Sequence, residues 1–73
     1  MTRKDRLTHL MPLWTAEFGE DAASRKRLVQ MIEDHCRADR SRALAGHWSY
    51  NPTRHAALVR VLHLERQELS SLA

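Results

Sequence analysis

The sequence has little of what small proteins use to reinforce a thin hydrophobic core. Its 73 residues include a single cysteine, Cys36, so no disulfide can form within the chain, and the cysteine framework of a small secreted domain is missing. A chain of this length buries only about 60% of the surface that its unfolded form exposes. Its stability therefore has to come from regular helix packing or from a partner subunit. The lone thiol favours a reducing, cytoplasmic location.

Long apolar runs are also missing from the sequence. No window approaches the roughly 20 apolar residues that are needed to cross a bilayer, so we expect no membrane span. The charged start of the chain is followed by a stretch that His9 and Pro12 interrupt, which is not the pattern of a secretory signal. These absences predict a soluble protein with no membrane partner.

The histidines and the cysteine do not have the spacing of a metal site. The sequence has five histidines, but it has neither a His-x-x-x-His nor a Cys-x-x-Cys motif. His55 and His63 would lie about 12 Å apart along a helix that rises 1.5 Å per residue. His35 and Cys36 are adjacent and point to different helix faces. We therefore expect no metal and no cofactor.

Catalytic motifs are missing as well. With only two glycines, the chain has no Gly-rich phosphate loop. His35 and Arg37 flank Cys36, and nearby positive charge lowers the pKa of a thiol. Cys36 nevertheless falls on the apolar stripe of a helix, where a free cysteine behaves as a small hydrophobe. Glu65 and Glu68 are spaced like surface ion-pair partners. The sequence therefore predicts a protein that is not an enzyme.

The few glycines and prolines divide the chain into three helical segments. Gly occurs only at positions 19 and 46 and Pro only at 12 and 52, and such residues mark helix ends. No repeat or flexible linker separates the segments, so residues 1–73 are predicted to form a single domain. The predicted fold is a small all-α bundle of three helices, to which a short turn before Gly46 could be added.

The first segment, from about Lys4 to Phe18, is predicted to be an amphipathic helix with an interruption. Pro12 removes one backbone donor, so the helix should be kinked there or split into a short turn and a helix that begins near Pro12. Gly19 fits the left-handed residue that ends such a helix. The apolar residues that recur at the spacing of one helical face are Leu7, Leu10, Met11, Trp14 and Phe18.

The second helix is predicted over about Ala22 to Ala38. Asp21 is a good N-cap for it. The apolar stripe fails at Asp39, so residues 41–45 are predicted to be a frayed continuation or a separate short turn that Gly46 ends. The residues of the stripe are Leu28, Val29, Ile32 and Cys36.

The third helix has the clearest start, because Asn51 is a preferred N-cap and Pro52 suits the first helical position, where its missing N–H costs nothing. We expect it to extend to about Leu69. Its first half, residues 56–64, is apolar on more than one face, which is more than a three-helix monomer needs to bury. Either this helix is central to the fold, or part of it meets a partner. The predicted core consists of Leu7, Leu10, Met11, Trp14, Phe18, Leu28, Val29, Ile32, Leu58, Val61, Leu62 and Leu69.

Positive charge is concentrated in the second half of the chain. The net charge is +3. Residues 1–36 have six basic and six acidic side chains, whereas residues 37–73 have six basic and three acidic ones. Such a surplus assists binding to nucleic acid, to an anionic membrane or to an acidic protein, but it does not choose among them.

The most unusual segment is 45–51, where two of the four aromatic residues precede a helix in the most basic stretch. On one interpretation, Trp48 folds back as a lid over the core. Tyr50 then packs against Arg54 or Leu58 as a hydrophobic staple. On the other interpretation, the aromatic and arginine side chains, which are enriched at binding hot spots, are exposed here. Both hold together if one ring is buried and the other is exposed.

Two functions fit these observations. We favour a small adaptor or regulator, such as an inhibitor or accessory factor, that binds another protein or a second copy of itself through the third helix and the aromatic loop. The alternative is a nucleic-acid-binding domain that uses the basic region 37–60. It is weaker because the middle of the third helix is apolar where base-reading side chains belong. The predicted contact residues are Arg40, Arg42, His47, Trp48, Tyr50, Arg54, Val59 and His63.

Overall fold

The computed structural model of the protein describes residues 2–12 and 18–72, and it shows three α-helices. α1 comprises Arg3–Leu10, α2 comprises Ala22–Leu44 and α3 comprises Pro52–Leu72. Neither described range contains a strand. α3 packs against both α1 and α2, so it is the central helix of the bundle. The prediction of an all-α fold with three helices is confirmed.

α1 is shorter than the predicted first helix. It begins with a capping box, in which Thr2 Oγ1 accepts from the Asp5 amide at 3.2 Å and the Asp5 carboxylate accepts from the Thr2 amide. It ends at Leu10, because Pro12 has no N–H and disfavours helical geometry at Met11. Met11 accordingly has φ −138° and ψ 65°. A continuous helix kinked at Pro12 is therefore wrong. The alternative, a second helix that begins near Pro12, falls on residues 13–17, which include Trp14 and lie outside the described part of the chain.

The predicted role of Gly19 is also wrong. Gly46 is the glycine with a left-handed backbone in the described ranges, and Gly19 does not adopt one. At Gly19 the absence of a side chain has a different reason. A Cβ atom there would lie 2.7 Å from Ser24 Oγ and 2.9 Å from Ser24 Cβ, so the first turn of α2 occupies the space that a side chain would need.

α2 begins where the sequence predicted and ends later. Asp21 caps it, since its carboxylate accepts from the Ser24 amide at 3.1 Å and from the Ser24 hydroxyl at 2.6 Å. The helix continues past Ala38 to Leu44, so of the two alternatives for residues 41–45 the structure shows a continuation of α2 and not a separate turn. The reason is that Asp39 continues the buried stripe: it is only 6% exposed and accepts from Arg42 Nη1 at 3.0 Å.

A Schellman motif ends α2. The φ of Gly46 is 65°, and its amide donates to the Ala43 carbonyl at 3.2 Å. The His47 amide donates to the Arg42 carbonyl at 2.8 Å. These two bonds satisfy carbonyl groups that the end of a helix leaves without partners. They also determine the direction in which the chain leaves α2.

α3 begins as predicted, with the Asn51 side chain accepting from the Arg54 amide at 3.1 Å, and it extends three residues beyond Leu69 to Leu72. The core lies between the three helices and agrees closely with the prediction. Leu10, Cys36 and Leu69 pack against it while remaining partly exposed. The buried apolar residues are Leu7, Met11, Phe18, Leu28, Val29, Ile32, Leu58, Val61 and Leu62.

Glu65 is a buried member of this interior, and its assignment to the surface is wrong. It is 2% exposed. Nε and Nη2 of Arg3 donate to its carboxylate at 2.6 to 3.1 Å, and Arg25 Nη1 lies 3.8 Å from Glu65 Oε2. Arg3 Nη1 also donates to the Phe18 carbonyl at 3.1 Å. This buried ion cluster joins all three helices and the segment before α2.

Within residues 2–12 and 18–72, no helix combines the length and the apolar character that crossing a membrane requires.

Candidate interaction surface

The connection between α2 and α3 presents an exposed aromatic side chain. Trp48 is 90% exposed, so the interpretation of this residue as a lid over the core is wrong. Its ring stacks on the ring of His47, with centroids 5.6 Å apart and an interplanar angle of 26°. His47 is held in turn by Ser49, whose amide donates to His47 Nδ1 at 3.1 Å. The indole therefore projects from an ordered turn rather than from a helix face.

Tyr50, the second aromatic residue of the connection, is half-buried. Its hydroxyl lies 3.0 Å from His55 Nδ1, and the two rings meet edge to face at 5.7 Å. The ring interaction of Tyr50 is thus with His55, whereas the sequence predicted packing against Arg54 or Leu58. A histidine one turn into α3 anchors the end of the connection because the tyrosine hydroxyl finds a polar partner there.

A shallow apolar depression adjoins the connection. It is lined by Tyr50, Pro52, His55, Ala56 and Val59, and Val59 at its edge is 48% exposed. Leu44, the last residue of α2, is 81% exposed. We call these residues, with His47 and Trp48, the aromatic surface. Its members are Leu44, His47, Trp48, Tyr50, Pro52, His55, Ala56 and Val59.

Two of the three predicted contact arginines are held by a buried carboxylate. Arg42 Nη1 lies 3.0 Å from Asp39 Oδ1, and Arg54 Nη1 lies 3.9 Å from Asp39 Oδ2. Both side chains remain nearly half-exposed. Arg40 is exposed and has no ion pair in the described part of the chain. Most of the positive charge predicted at this surface is therefore partly neutralised.

Four of the predicted contact residues lie at or beside the connection between α2 and α3: the rings of His47 and Trp48 stack, and Tyr50 and Val59 line the same depression. His63 is exposed one turn beyond Val59, where its ring contacts Gln67 at 3.3 Å. Sequence reasoning missed Leu44 and His55. A prediction that extended the second helix to Leu44 would have placed this residue beside the connection. No local sequence signal predicts the contact between His55 and Tyr50.

Cys36 is not placed for nucleophilic chemistry. Burial raises the pKa of its thiol above the ordinary range, and the negative charge of Asp39 raises it further. The positive charge of Arg66 acts in the opposite direction but has a smaller effect than either. A raised pKa leaves less thiolate at neutral pH. This agrees with the interpretation of Cys36 as a small apolar residue beside the core.

Metal-binding geometry is missing from residues 2–12 and 18–72, where no three His, Cys, Asp or Glu side chains come close enough together to hold an ion. Comparison of the chain with protein-family models, curated proteins and solved structures found no match.

Proposed function

We propose that the protein is a small adaptor or regulator that binds another protein through the aromatic surface. The observation that carries this proposal is the exposure of two large apolar side chains at the connection between α2 and α3: Trp48 is 90% exposed, and Leu44 at the end of α2 is 81% exposed. Exposed apolar side chains that cluster on a small protein typically mark an interaction site. Tryptophan in particular is enriched among the few residues that supply most of the binding energy of an interface.

The backbone around Trp48 supports the proposal because it is ordered before any partner arrives. The Schellman bonds at Gly46 fix the chain on one side of the indole, and the Tyr50 amide donates to the His47 carbonyl at 3.1 Å on the other. Asn51 then caps α3. A preorganised loop loses little conformational entropy on binding, so more of the contact energy of the ring is available for affinity.

The nucleic-acid alternative has less support from the same surface. Phosphate binding needs positive charges that are free to replace condensed counterions. Asp39 engages Arg42 and Arg54, and Asp34 engages Arg37. Among the arginines of residues 37–54, Arg40 alone has no carboxylate partner in the described ranges. The large apolar side chains of Trp48 and Leu44 are exposed at the same connection, which suits a protein partner.

Affinity capture with the immobilised protein tests the proposal, followed by measurement of the Kd of each recovered partner for three forms of the chain. Trp48→Ala should weaken binding by more than about 1 kcal/mol, the threshold of a hot-spot contact. The matched control is Leu72→Ala, which removes another large exposed apolar side chain, at the far end of α3. It should leave the affinity unchanged.

Duplex DNA provides the opposing test. Arg40→Glu is the suitable charge reversal, because Arg42 holds the buried Asp39 and its replacement would disturb the fold. Micromolar or tighter binding to generic duplex DNA at physiological salt, lost in Arg40→Glu but retained in Trp48→Ala, would contradict protein binding through the aromatic surface. If the aromatic surface binds a protein partner, that binding should be lost in Trp48→Ala and retained in Arg40→Glu.

A further inference from the structure

A second surface lies on the other side of α3, where α1 and α3 leave a groove between them. Its floor is apolar, with Val61 buried and Leu10, Ala57 and Leu64 half-buried. We call this the α1–α3 groove. The side chains along its two rims are basic: they are Arg6 and His9 on α1 and Arg60 on α3.

The charge of the groove is of one sign. It continues toward the start of α3 through two adjoining depressions, which add Asn51, Pro52, Thr53, Arg54 and Ala56 to the lining. Among residues 2–12 and 18–72, no aspartate or glutamate lines any of the three. The side chains of Arg6, His9 and Arg60 make no hydrogen bond or ion pair with any residue in the ranges 2–12 and 18–72, so the two guanidinium groups are available to a ligand.

The α1–α3 groove and the aromatic surface meet at Pro52 and Ala56 but are otherwise lined by different residues. Successive residues of a helix are about 100° apart around its axis, so Arg60 and Val59 project in clearly different directions. α2 contributes Leu44 to the aromatic surface, whereas the groove is lined by α1, by α3 and by Asn51 just before α3. A change at one site can therefore be made without altering the other.

We propose that the α1–α3 groove docks an acidic amphipathic helix of a partner protein. An amphipathic helix in a groove presents apolar side chains at i, i+3, i+4 and i+7, which suits the floor formed by Leu10, Val61 and Leu64. Its carboxylates then face Arg6 and Arg60 on opposite rims, and this charge complementarity selects an acidic partner and speeds its association. Nucleic acid fits less well, because its phosphates would leave the apolar floor uncovered.

Two synthetic peptides of about 16 residues serve as probes in titrations of the full-length protein followed by amide NMR. Both have the same leucine face, and their polar faces are glutamate in one peptide and lysine in the other. The acidic peptide should bind, with shifts concentrated at residues 6–10 and 57–64, and its affinity should fall as salt rises, because the rim charges are exposed. The basic peptide should not bind.

Charge reversals then locate the site. Arg6→Glu and Arg60→Glu should together weaken binding of the acidic peptide by about tenfold, since they replace attraction by repulsion at both rims. Lys26→Glu, which changes the charge as much as either single reversal but at an exposed position of α2, should leave the affinity unchanged, and so should Trp48→Ala. Retained far-ultraviolet circular dichroism confirms that each variant is folded.

Four results would overturn the inference. The peptides could bind equally well, or neither could bind at millimolar concentration. The shifts could fall on the aromatic surface and vanish in Trp48→Ala, which would leave the proposed function intact while removing the groove as a site. Finally, duplex DNA could displace the acidic peptide from residues 6–10 and 57–64, which would assign the groove to nucleic acid.

Discussion

Glu65 has a carboxylate that is buried in the interior of the bundle. Burying a carboxylate costs several kcal/mol unless charged partners and hydrogen bonds compensate for the lost water. Arg3 provides most of this compensation, because its Nε and Nη2 donate to the two carboxylate oxygens of Glu65. Arg25 Nη1 is buried without a hydrogen bond and approaches Glu65 only to 3.8 Å, while its Nε donates to the Glu20 carbonyl at 2.9 Å. The cluster is therefore better suited to holding the helices in one arrangement than to adding net stability.

Replacing Glu65 by glutamine should be strongly destabilising. The change keeps the shape of the side chain but leaves the Arg3 and Arg25 guanidinium groups buried without a compensating charge, and breaking a buried pair in this way costs about 3 to 5 kcal/mol. Chemical denaturation measures the effect. The matched control is Glu68→Gln on the exposed face of the same helix, which should change stability by about 0.5 kcal/mol or less. Equal midpoints for the two variants would show that the carboxylate of Glu65 is hydrated in solution.

The helices of this protein owe their limits to local signals at their ends. Thr2, Asp21 and Asn51 each accept a hydrogen bond from the amide three residues later, so all three helices have N-caps of the preferred residue types. Pro12 lies just beyond α1, and Gly46 closes α2. These ends determine where the connections begin and which residues they expose.

Gly46→Ala tests the end of α2. An L-residue in the left-handed conformation costs roughly 1 to 2 kcal/mol, and nothing lies within 4 Å of the position that a Cβ atom would take. Backbone strain is therefore the whole expected effect, and we expect the free energy of unfolding to fall by about 1 kcal/mol. Gly46→Asn should cost less, because asparagine tolerates this conformation better than alanine does. An equal loss in the two variants would point to a different cause.

The N-cap of α2 should make stability depend on acid. Hydrogen bonds from the Ser24 hydroxyl and amide lower the pKa of the Asp21 carboxyl in the folded protein. A carboxyl whose pKa is lower in the folded than in the unfolded chain stabilises the fold above the unfolded value, about 3.9, and loses that contribution as the pH falls through the folded value.

Thermal unfolding of Asp21→Ala and of the unchanged chain checks this dependence. The difference between their Tm values should be constant near neutral pH and should shrink as the pH falls below about 4. The comparison cancels every effect of acid that the two proteins share. A difference that grows with acidity would mean that the carboxylate does not cap the helix.

At the scale of the whole molecule, the three helices pack around one small core, and the aromatic surface and the α1–α3 groove lie on its outside. Leu62 is buried at 7% exposure between the helices, whereas Trp48 makes no contribution to the core. Leu62→Ala should cost about 2 to 5 kcal/mol, the range for deleting a buried leucine, which is a large share of the total for a domain of this size. Trp48→Ala removes a larger side chain and should leave the denaturation midpoint unchanged. A similar loss in both variants would mean that the indole packs on the core in solution.

The sequence by itself determined the three helices and nearly the whole core. Caps, prolines, glycines and apolar periodicity act over a few residues, so the starts of α2 and α3 and the burial of residues such as Leu28 and Leu58 could be predicted without knowledge of the rest of the fold. The same local reasoning failed at Asp39, because a charged residue interrupts an apolar pattern even when ion pairs, here with Arg42 and Arg54, make its burial favourable.

Only the tertiary structure decided which distant residues meet. Arg3 reaches Glu65 across 62 positions of the chain, and Arg54 approaches Asp39 across the turn between α2 and α3. The exposure of Trp48 follows from the direction that the Schellman motif gives the chain, and the α1–α3 groove exists because α1 and α3 pack side by side. These features depend on how the helices are placed against one another. Contacts between residues far apart in sequence produce no periodic pattern, so the sequence alone does not predict that placement.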